Sequence, residues 1–147
     1  MAGFGGEGAD DMRATAEKAL AAAMDAGAAQ AEANVSCSTS TKIKVYQQEV
    51  EELASSAGSG AGIRVFTGGA MGYAYTSDIS DAGLKEAAAT AAAQAAVTAA
   101  DEFAGLPEPG PAAEPLDIYN ERLGLTPLTE KIELARIYAT ANPRQGR

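Results

Sequence analysis

The chain has 147 residues, 46% of them hydrophobic, and its eleven basic and twenty acidic residues give a net charge of −9. This length suits a single domain. The sequence contains no histidine, which excludes His-based catalytic triads, His general bases and His metal ligands. The acidic balance argues against nucleic acid as a partner, because phosphate binding requires a basic surface.

The cysteine content and the hydropathy of the chain indicate its cellular compartment. The only cysteine is Cys37, so no internal disulfide calls for an oxidising environment. No apolar run approaches the ~20 residues that a membrane helix needs, and the acidic, glycine-rich start is unlike a secretory signal. We therefore expect a cytoplasmic protein with no membrane partner.

The first predicted elements are a leader and a helix. Residues 1–9 hold four glycines without periodicity and predict a disordered leader. Apolar residues spaced by three and four predict a helix from about Met12 to Ala26, capped by Asp10 or Asp11. Gly27 stands where a left-handed helix terminus is expected.

A period-two alternation of polar and apolar residues then predicts a sheet. The glycine pair in Thr67-Gly68-Gly69 is typical of a hairpin turn. We expect a meander of four or five antiparallel strands at residues 30–38, 41–47, 49–56, 63–66 and 70–76, with turns or breaks at residues 39–40, 58–62 and 67–69.

The remaining elements complete an α+β prediction of two layers: helix, antiparallel meander, helix, then a linker and a C-terminal helix. An alanine-rich helix is expected from Ser80 or Asp81 to about Phe103, lying close against the sheet. Thr126 and Pro127 predict the start of the last helix, which runs to about Ala141. We interpret residues 10–104 as one domain, 105–125 as a Pro-rich linker and 126–147 as a helix and tail that begin a truncated further domain.

Several motifs that suggest chemistry have simpler explanations. The glycine run at residues 58–62 lacks the third glycine of a dinucleotide loop and precedes a strand rather than a helix, so it predicts a flexible turn. The glutamates at 49, 51 and 52 have no neighbouring ligands for a cation, which favours a solvated strand edge. Cys37 has no histidine to activate it and is expected to pack as a small hydrophobe.

Arg64 is the most informative charge. It stands between Ile63 and Val65, so it faces the opposite side of the sheet from them and could clamp a carboxylate or a loop. An exposed arginine without a function is the simpler interpretation, just as Tyr73 and Tyr75 are more often core or rim aromatics than a binding platform. These three residues are the candidate contacts for a substrate or partner, and Gly60, Gly62 and Gly72 are assigned to turns.

Taken together, these motifs resemble the N-terminal domain of the TldD/PmbA family. The resemblance rests on Gly60-Ala61-Gly62-Ile63-Arg64-Val65, then Met71-Gly72-Tyr73-Ala74-Tyr75-Thr76, then the alanine-rich helix that opens at Ser80. It extends over roughly residues 10–140 and includes the first helix, the Gly27-Ala28 entry to the first strand and the glutamate-rich third strand.

The resemblance implies a cytosolic metallopeptidase system, also called a modulator of DNA gyrase, whose members form homo- or hetero-dimers and cleave small or unfolded peptides. Catalytic members carry an H-E-x-x-x-H zinc motif downstream of this domain, and nothing in this sequence corresponds to it. We expect no catalytic residue, no metal ligand and no cofactor in this chain, with zinc only in a downstream region or in a partner chain.

Two functions remain open. The first is the non-catalytic N-terminal domain of a TldD/PmbA-like metallopeptidase system acting in proteolysis, with a peptide or a TldD/PmbA-type chain as partner. The second is a non-enzymatic interaction module that binds a protein through an open sheet face or edge. An independent enzyme is disfavoured because no catalytic constellation is visible.

Overall fold

The computed structural model describes residues 6–108, 110 and 120–141, and they form the predicted α+β fold. Two helices pack on one face of an antiparallel sheet, and two further helices follow. The elements are α1 Gly6–Asp25, β1 Gln30–Tyr46, β2 Glu49–Thr67, β3 Ala70–Thr76, α2 Asp81–Val97, α3 Glu121–Leu125 and α4 Leu128–Ala141.

The sheet has three strands in the order β1-β2-β3. β1 and β2 pair along their whole lengths, from Gln30 opposite Phe66 to Tyr46 opposite Glu49. The much shorter β3 pairs only with residues 61–67 of β2. The sheet therefore consists of a three-stranded base and a two-stranded ribbon, which is formed by residues 37–46 and 49–59.

The prediction of four or five strands is wrong, because two expected turns lie inside continuous strands. Thr39 and Ser40 pair with Ala57 and Ser56 within the β1–β2 ladder, and residues 58–62 belong to β2. Serine, threonine and glycine favour turns locally, but here a full-length partner strand satisfies their backbone groups.

The turns between the strands match the predicted boundaries. Gly68 and Gly69 have φ angles of 59° and 79°, as the hairpin signal predicts, because a two-residue hairpin turn favours positive φ. Gln47 and Gln48 form the other turn with φ angles of 49° and 67°. In the sequence, this second turn is indicated only by the boundary between the strands predicted at residues 41–47 and 49–56.

The core is thin because small side chains form most of it. Ile63 and Val65 on β2 are fully buried, as is Ala19 on α1, and α2 adds Leu84 and several alanines. Alanine buries little area, so the helices must lie close to the sheet for any core to form.

Gly72 makes this close approach possible. A Cβ atom at this position would lie 1.9 Å from the carbonyl oxygen of Ala91 and 2.6 Å from the amide nitrogen of Ala95. Gly72 lies within β3, so its assignment to a turn is wrong. Its role is to let the backbone of α2 pack directly on the strand.

The helix boundaries partly match the sequence pattern. α1 begins at Gly6, so Asp10 and Asp11 lie inside the helix and do not cap it. Gly27 has a φ angle of 95°, which confirms the predicted left-handed terminus. For α2, the predicted cap is also confirmed, because the Ser80 hydroxyl accepts a hydrogen bond from the Gly83 amide at 3.3 Å.

α2 ends at Val97, six residues before the predicted Phe103. The Thr98 hydroxyl donates to the Gln94 carbonyl at 2.8 Å, and the chain then turns back towards the sheet. The Asp101 amide donates to the Gly69 carbonyl at 2.8 Å, which fixes this segment to the β2–β3 turn.

The C-terminal helices differ slightly from the prediction. The predicted linker contains α3, whose first turn is capped because the Asn120 side chain accepts from the Arg122 amide at 3.1 Å. α4 begins at Leu128, directly after Pro127, and ends at the predicted residue. It lies against β1, and the Gln48 side chain donates to the Thr140 hydroxyl at 2.8 Å.

Some predictions fall outside the described residues. These are most of the Pro-rich stretch, the first five residues of the leader and the tail after residue 141. Among the helices that the structure describes, none has the length and hydropathy needed to span a membrane. The proposed domain limits at 10–104, 105–125 and 126–147 stay predictions.

Candidate binding site on the outer sheet face

The outer face of the sheet is the side turned away from α1 and α2. Ile63 and Val65 are fully buried beneath the helices, so Arg64, which lies between them on β2, points to the outer face. On β3, Tyr73 and Tyr75 also occupy this face and are 50% and 61% exposed. The structure therefore brings the three candidate contact residues together on one surface.

Arg64 forms an ion pair with Glu32, which lies directly opposite on β1. Both side chains are almost half exposed, so water screens their attraction and the pair adds little to stability. The Arg64 guanidinium also lies 5.8 Å from the centre of the Phe66 ring, which favours a defined orientation through a cation–π contact. A ligand can reach both charged groups from solvent.

Gly62 forms the floor of the site and Gly60 lies two residues before it on the same strand. Their assignment to turns is wrong because both lie within β2. A Cβ atom on Gly60 would lie 2.0 Å from the Tyr75 hydroxyl oxygen, and one on Gly62 would lie 2.7 Å from that of Tyr73. The tyrosine rings therefore lean across the strand over the two glycines. Because glycine has no side chain, the two rings can occupy the space directly above the strand.

These side chains enclose a groove of about 230 Å³ on the outer face. Strand β1 forms one wall, β3 forms the other, and Gly62 and Arg64 of β2 lie between them. The lining residues are Glu32, Asn34, Ser36, Gly62, Arg64, Tyr73 and Tyr75.

The chemistry of the groove suits binding rather than catalysis. The exposed tyrosine rings offer apolar surface with a polar hydroxyl at the end. On the opposite wall, β1 adds the carboxylate of Glu32, the amide of Asn34 and the hydroxyl of Ser36, and the Arg64 guanidinium on β2 lies between the walls. This combination can hold a peptide segment by ring contacts and by hydrogen bonds to its backbone.

Sequence reasoning missed the contribution of β1 to this groove. Glu32, Asn34 and Ser36 alternate with Ala31, Ala33 and Val35, and the alternation assigns them to the outer face. Their position opposite Arg64 and the two glycines depends on the register between β1 and β2. Residue spacing on one strand carries no information about that register.

The glutamates of the ribbon form ion pairs with lysines on the neighbouring strand. Glu51 pairs with Lys44 at 2.7 Å and Glu52 pairs with Lys42 at 2.9 Å on the ribbon. The hydrogen bond that Lys44 donates to the Glu51 carboxylate raises the pKa of Lys44. These pairs agree with the interpretation of the glutamates as a solvated strand edge. Cys37 is half-buried at the base of the ribbon.

Two aspartates near the start of α2 titrate below their usual range. The side-chain hydrogen bond with Ser80 is the main cause that lowers the pKa of Asp78, and that with Lys18 is the main cause for Asp81. Ser80 caps the helix and Lys18 belongs to α1, so both shifts arise from contacts that hold α2 in place. Neither aspartate lines the groove.

The donor atoms of this chain do not fit a zinc centre. Catalytic zinc sites use three protein ligands that include histidine, and the chain has no histidine and one cysteine. Within residues 6–108, 110 and 120–141, no three Asp, Glu or Cys side chains lie together as a metal site. No catalytic step is therefore assigned to a metal held by this chain.

Comparison with protein families agrees with this fold. Residues 31–95, which span most of the sheet and most of α2, match the family model described as PmbA/TldA metallopeptidase domain 1. The resemblance to the TldD/PmbA family is confirmed. The matched segment contains every residue that lines the groove.

Two solved structures share the fold. One is a candidate modulator of DNA gyrase from Bacteroides thetaiotaomicron, with a TM-score of 0.78, 19% identity, and coverage of 90% of this chain and 31% of that one. The other is TldE from Thermococcus kodakarensis, with a TM-score of 0.60, 22% identity, and coverage of 86% and 30%. The chain thus spans about a third of the length of the structures that it matches. A comparison with curated proteins gives no match.

Proposed function

We propose that this chain acts as the non-catalytic first domain of a PmbA/TldD-like metallopeptidase system that cleaves small or unfolded peptides. Zinc and the catalytic residues are supplied by a downstream region or by a partner chain. The observation that carries the proposal is the family match over residues 31–95 in a chain without histidine. The match supports the choice of this family, and the lack of histidine is the reason to propose that the zinc chemistry lies outside this chain.

The outer-face groove gives this domain a role in such a system. Arg64 and the exposed rings of Tyr73 and Tyr75 lie on the paired strands β2 and β3. An extended peptide that passes over the groove meets ring faces and hydrogen-bonding groups but no reactive nucleophile activated by a base. The groove therefore binds and orients, and it leaves bond cleavage to another site.

The experiment that tests this function combines assembly and activity. We would analyse two samples, the chain alone and the chain mixed with a TldD-type catalytic homologue. Size exclusion with light scattering measures assembly, and hydrolysis of an unfolded peptide measures activity. We expect no zinc-dependent hydrolysis by the chain alone and a stoichiometric complex in the mixture. Hydrolysis by the chain alone that a chelator abolishes would contradict the proposal.

The open outer face also supports the second function, a protein-interaction module without a peptidase partner. The same experiment separates the two functions. If the folded chain does not bind the catalytic homologue but does bind an unfolded polypeptide, the result favours the interaction module. A complex with the homologue favours the peptidase system.

A further inference from the structure

The outer-face groove offers a ligand side chains but no free backbone groups. Its floor is β2, the central strand, which pairs with β1 on one side and with β3 on the other. The amide and carbonyl groups of such a strand lie in the plane of the sheet and bond to the two neighbouring strands. A peptide that lies over this face cannot extend the sheet, so a β conformation would gain it no ladder hydrogen bonds.

The polar side chains of the groove supply mainly hydrogen-bond donors. Glu32 is the only lining residue whose side chain can accept but not donate, and its carboxylate already accepts from the Arg64 guanidinium. The side chains that keep open donors are those of Arg64, Asn34, Ser36, Tyr73 and Tyr75. Within residues 6–108, 110 and 120–141, no other side chain or backbone group takes up these donors. The groove therefore suits a ligand that brings carbonyl oxygens and few N–H groups.

The two tyrosine rings form an apolar ridge along one wall. Tyr73 pairs with Arg64, and its hydroxyl lies over Gly62. Tyr75 pairs with Gly62, and its hydroxyl lies over Gly60. Both rings therefore lean the same way along β2, and their positions repeat at about 6.8 Å, the length of two strand residues. A ligand in the groove meets a row of ring surface on one side and a row of donors on the other.

Polyproline II is a peptide conformation that matches both rows. It has no internal hydrogen bonds, so its carbonyl oxygens stay available, and each proline lacks an N–H. Its pyrrolidine rings pack on aromatic side chains in other grooves of this kind. The conformation also exists before binding, so little chain entropy is lost. This favours it further, because a groove of about 230 Å³ makes few contacts with which to order a flexible chain.

The ends of the groove define the length of a bound segment. The β1 wall from Glu32 to Ser36 is about 14 Å long, which corresponds to about four or five residues of polyproline II. Before Glu32, the Gln30 side chain accepts from the Leu106 amide at 2.9 Å, so the chain itself borders this end. Beyond Ser36, the outer face of the ribbon continues with small residues that pair in the order Ser38 with Gly58 and Ser40 with Ser56.

α4 leaves this surface accessible. It packs on β1, but the side chains that β1 contributes to the groove are exposed, namely Glu32, Asn34 and Ser36. Its hydrogen bond to the sheet is made at Gln48, in the turn at the far end of the ribbon. A peptide can therefore approach the groove from solvent.

We propose that the outer-face groove binds a proline-rich peptide in the polyproline II conformation. This inference rests on the proposed function and names the class of peptide that the domain takes. Tyr73 and Tyr75 pack against the pyrrolidine rings, while Asn34 and Arg64 donate hydrogen bonds to the carbonyl oxygens of the peptide. About four or five residues of the peptide occupy the groove.

Fluorescence anisotropy with two labelled decapeptides tests the ligand class. One is deca-proline, and the other alternates alanine and serine, so that every residue keeps its N–H. We expect the wild-type chain to bind deca-proline at least about tenfold more tightly.

A labelled, reduced and alkylated polypeptide in the same assay tests the proposed function separately. If this polypeptide binds but the two decapeptides bind equally or not at all, the ligand class is wrong and the proposed function stands. If neither the polypeptide nor a decapeptide binds, both proposals are wrong.

An isosteric substitution tests the role of the donors. Asn34 is exposed, so Asn34→Asp keeps the fold but replaces the amide donors with a carboxylate that only accepts. We expect it to weaken deca-proline binding by about fivefold or more. Gln47→Glu is the matched control, because it makes the same chemical change at an exposed residue of the ribbon turn, and it should stay within about twofold. Equal weakening by both variants would overturn the assignment of Asn34 as a donor to the peptide.

The aromatic ridge is tested by substitution and by NMR. Tyr73→Ala should weaken deca-proline binding by about tenfold, and Tyr73→Phe should weaken it less, because the ring remains and only the hydroxyl is lost. In the complex, nuclear Overhauser effects should connect proline side chains with the rings of Tyr73 and Tyr75. If deca-proline binds without these contacts, or if Tyr73→Ala leaves its affinity unchanged, the peptide binds elsewhere and the proposal is wrong.

Discussion

The two faces of the sheet use glycine in opposite ways. On the inner face, Gly72 admits backbone atoms of α2, which have no freedom to move aside. On the outer face, Gly60 and Gly62 admit the ends of tyrosine side chains, which are exposed and can swing away. The comparison teaches that close backbone packing on the inner face determines stability, whereas the outer face keeps side chains that are free to move, which is where we propose that a peptide binds.

The largest expected effect is at Gly72. Gly72→Ala forces a Cβ atom into the backbone of Ala91 and Ala95, so the free energy of unfolding should fall by about 3 kcal/mol or more. Urea denaturation followed by circular dichroism measures it. Gly58→Ala is the matched control, because its nearest neighbour is the Ser38 hydroxyl at 3.9 Å. Equal losses for the two variants would refute the close packing of α2.

A slightly smaller loss is expected from the centre of the inner face. Ile63 is fully buried, and Ile63→Ala leaves a cavity that should cost about 3 kcal/mol. Val97 is 86% exposed, so Val97→Ala should change stability by less than about 0.5 kcal/mol. The same denaturation experiment measures both. If Ile63→Ala leaves the free energy of unfolding unchanged, the core lies elsewhere.

The outer-face glycines should tolerate substitution better. Gly62→Ala displaces the Tyr73 ring, whose hydroxyl lies 2.7 Å from the added atom, and should cost about 1 kcal/mol or less. Because the chain has no tryptophan, the emission comes from its five tyrosines, and comparison with a Tyr73→Phe variant isolates the part that the displaced ring contributes. A loss of stability as large as that of Gly72→Ala would remove the distinction between the two faces.

The smallest effect concerns the ion pair between α1 and α2 on the inner side. The hydrogen bond and the charge of Lys18 hold the pKa of Asp81 below its usual range. A lowered folded-state pKa contributes stability above the unfolded-state pKa, and this contribution is lost as the pH falls through the folded-state pKa. Lys18→Gln should therefore lower the melting temperature slightly at pH 7 and not at all in strong acid. A difference that is constant with pH would show that the pair contributes nothing.

Local patterns in the sequence predicted the inner face well. The alternation over residues 30–38, the glycine pair at the β2–β3 turn and the cap at Ser80 each involve neighbours within a few residues, and the structure contains all three. The orientation of Arg64 also follows from its two buried neighbours. These features depend on the periods of strand and helix, which a single segment encodes.

The long-range features could not be predicted in this way. Residues 58–62 have the composition of a turn, and only pairing with β1 makes them a strand. Glycine is required at positions 60, 62 and 72 because side chains or backbone atoms of another element occupy the space that a Cβ atom would need. The groove requires the register of three strands, so the sequence identified Arg64, Tyr73 and Tyr75 but not the wall that Glu32 and Asn34 provide.

The central claim is that the outer face binds extended peptide, and a titration tests it directly. A fluorescently labelled, reduced and alkylated polypeptide is titrated with the wild type, with Tyr75→Ala and with Tyr46→Ala, and fluorescence anisotropy is recorded. Tyr46 is a fair control because it is 47% exposed but lies on the ribbon, outside the groove. We expect Tyr75→Ala to weaken binding by about tenfold and Tyr46→Ala to leave it unchanged. Equal weakening by both variants, or no binding by the wild type, would contradict the account.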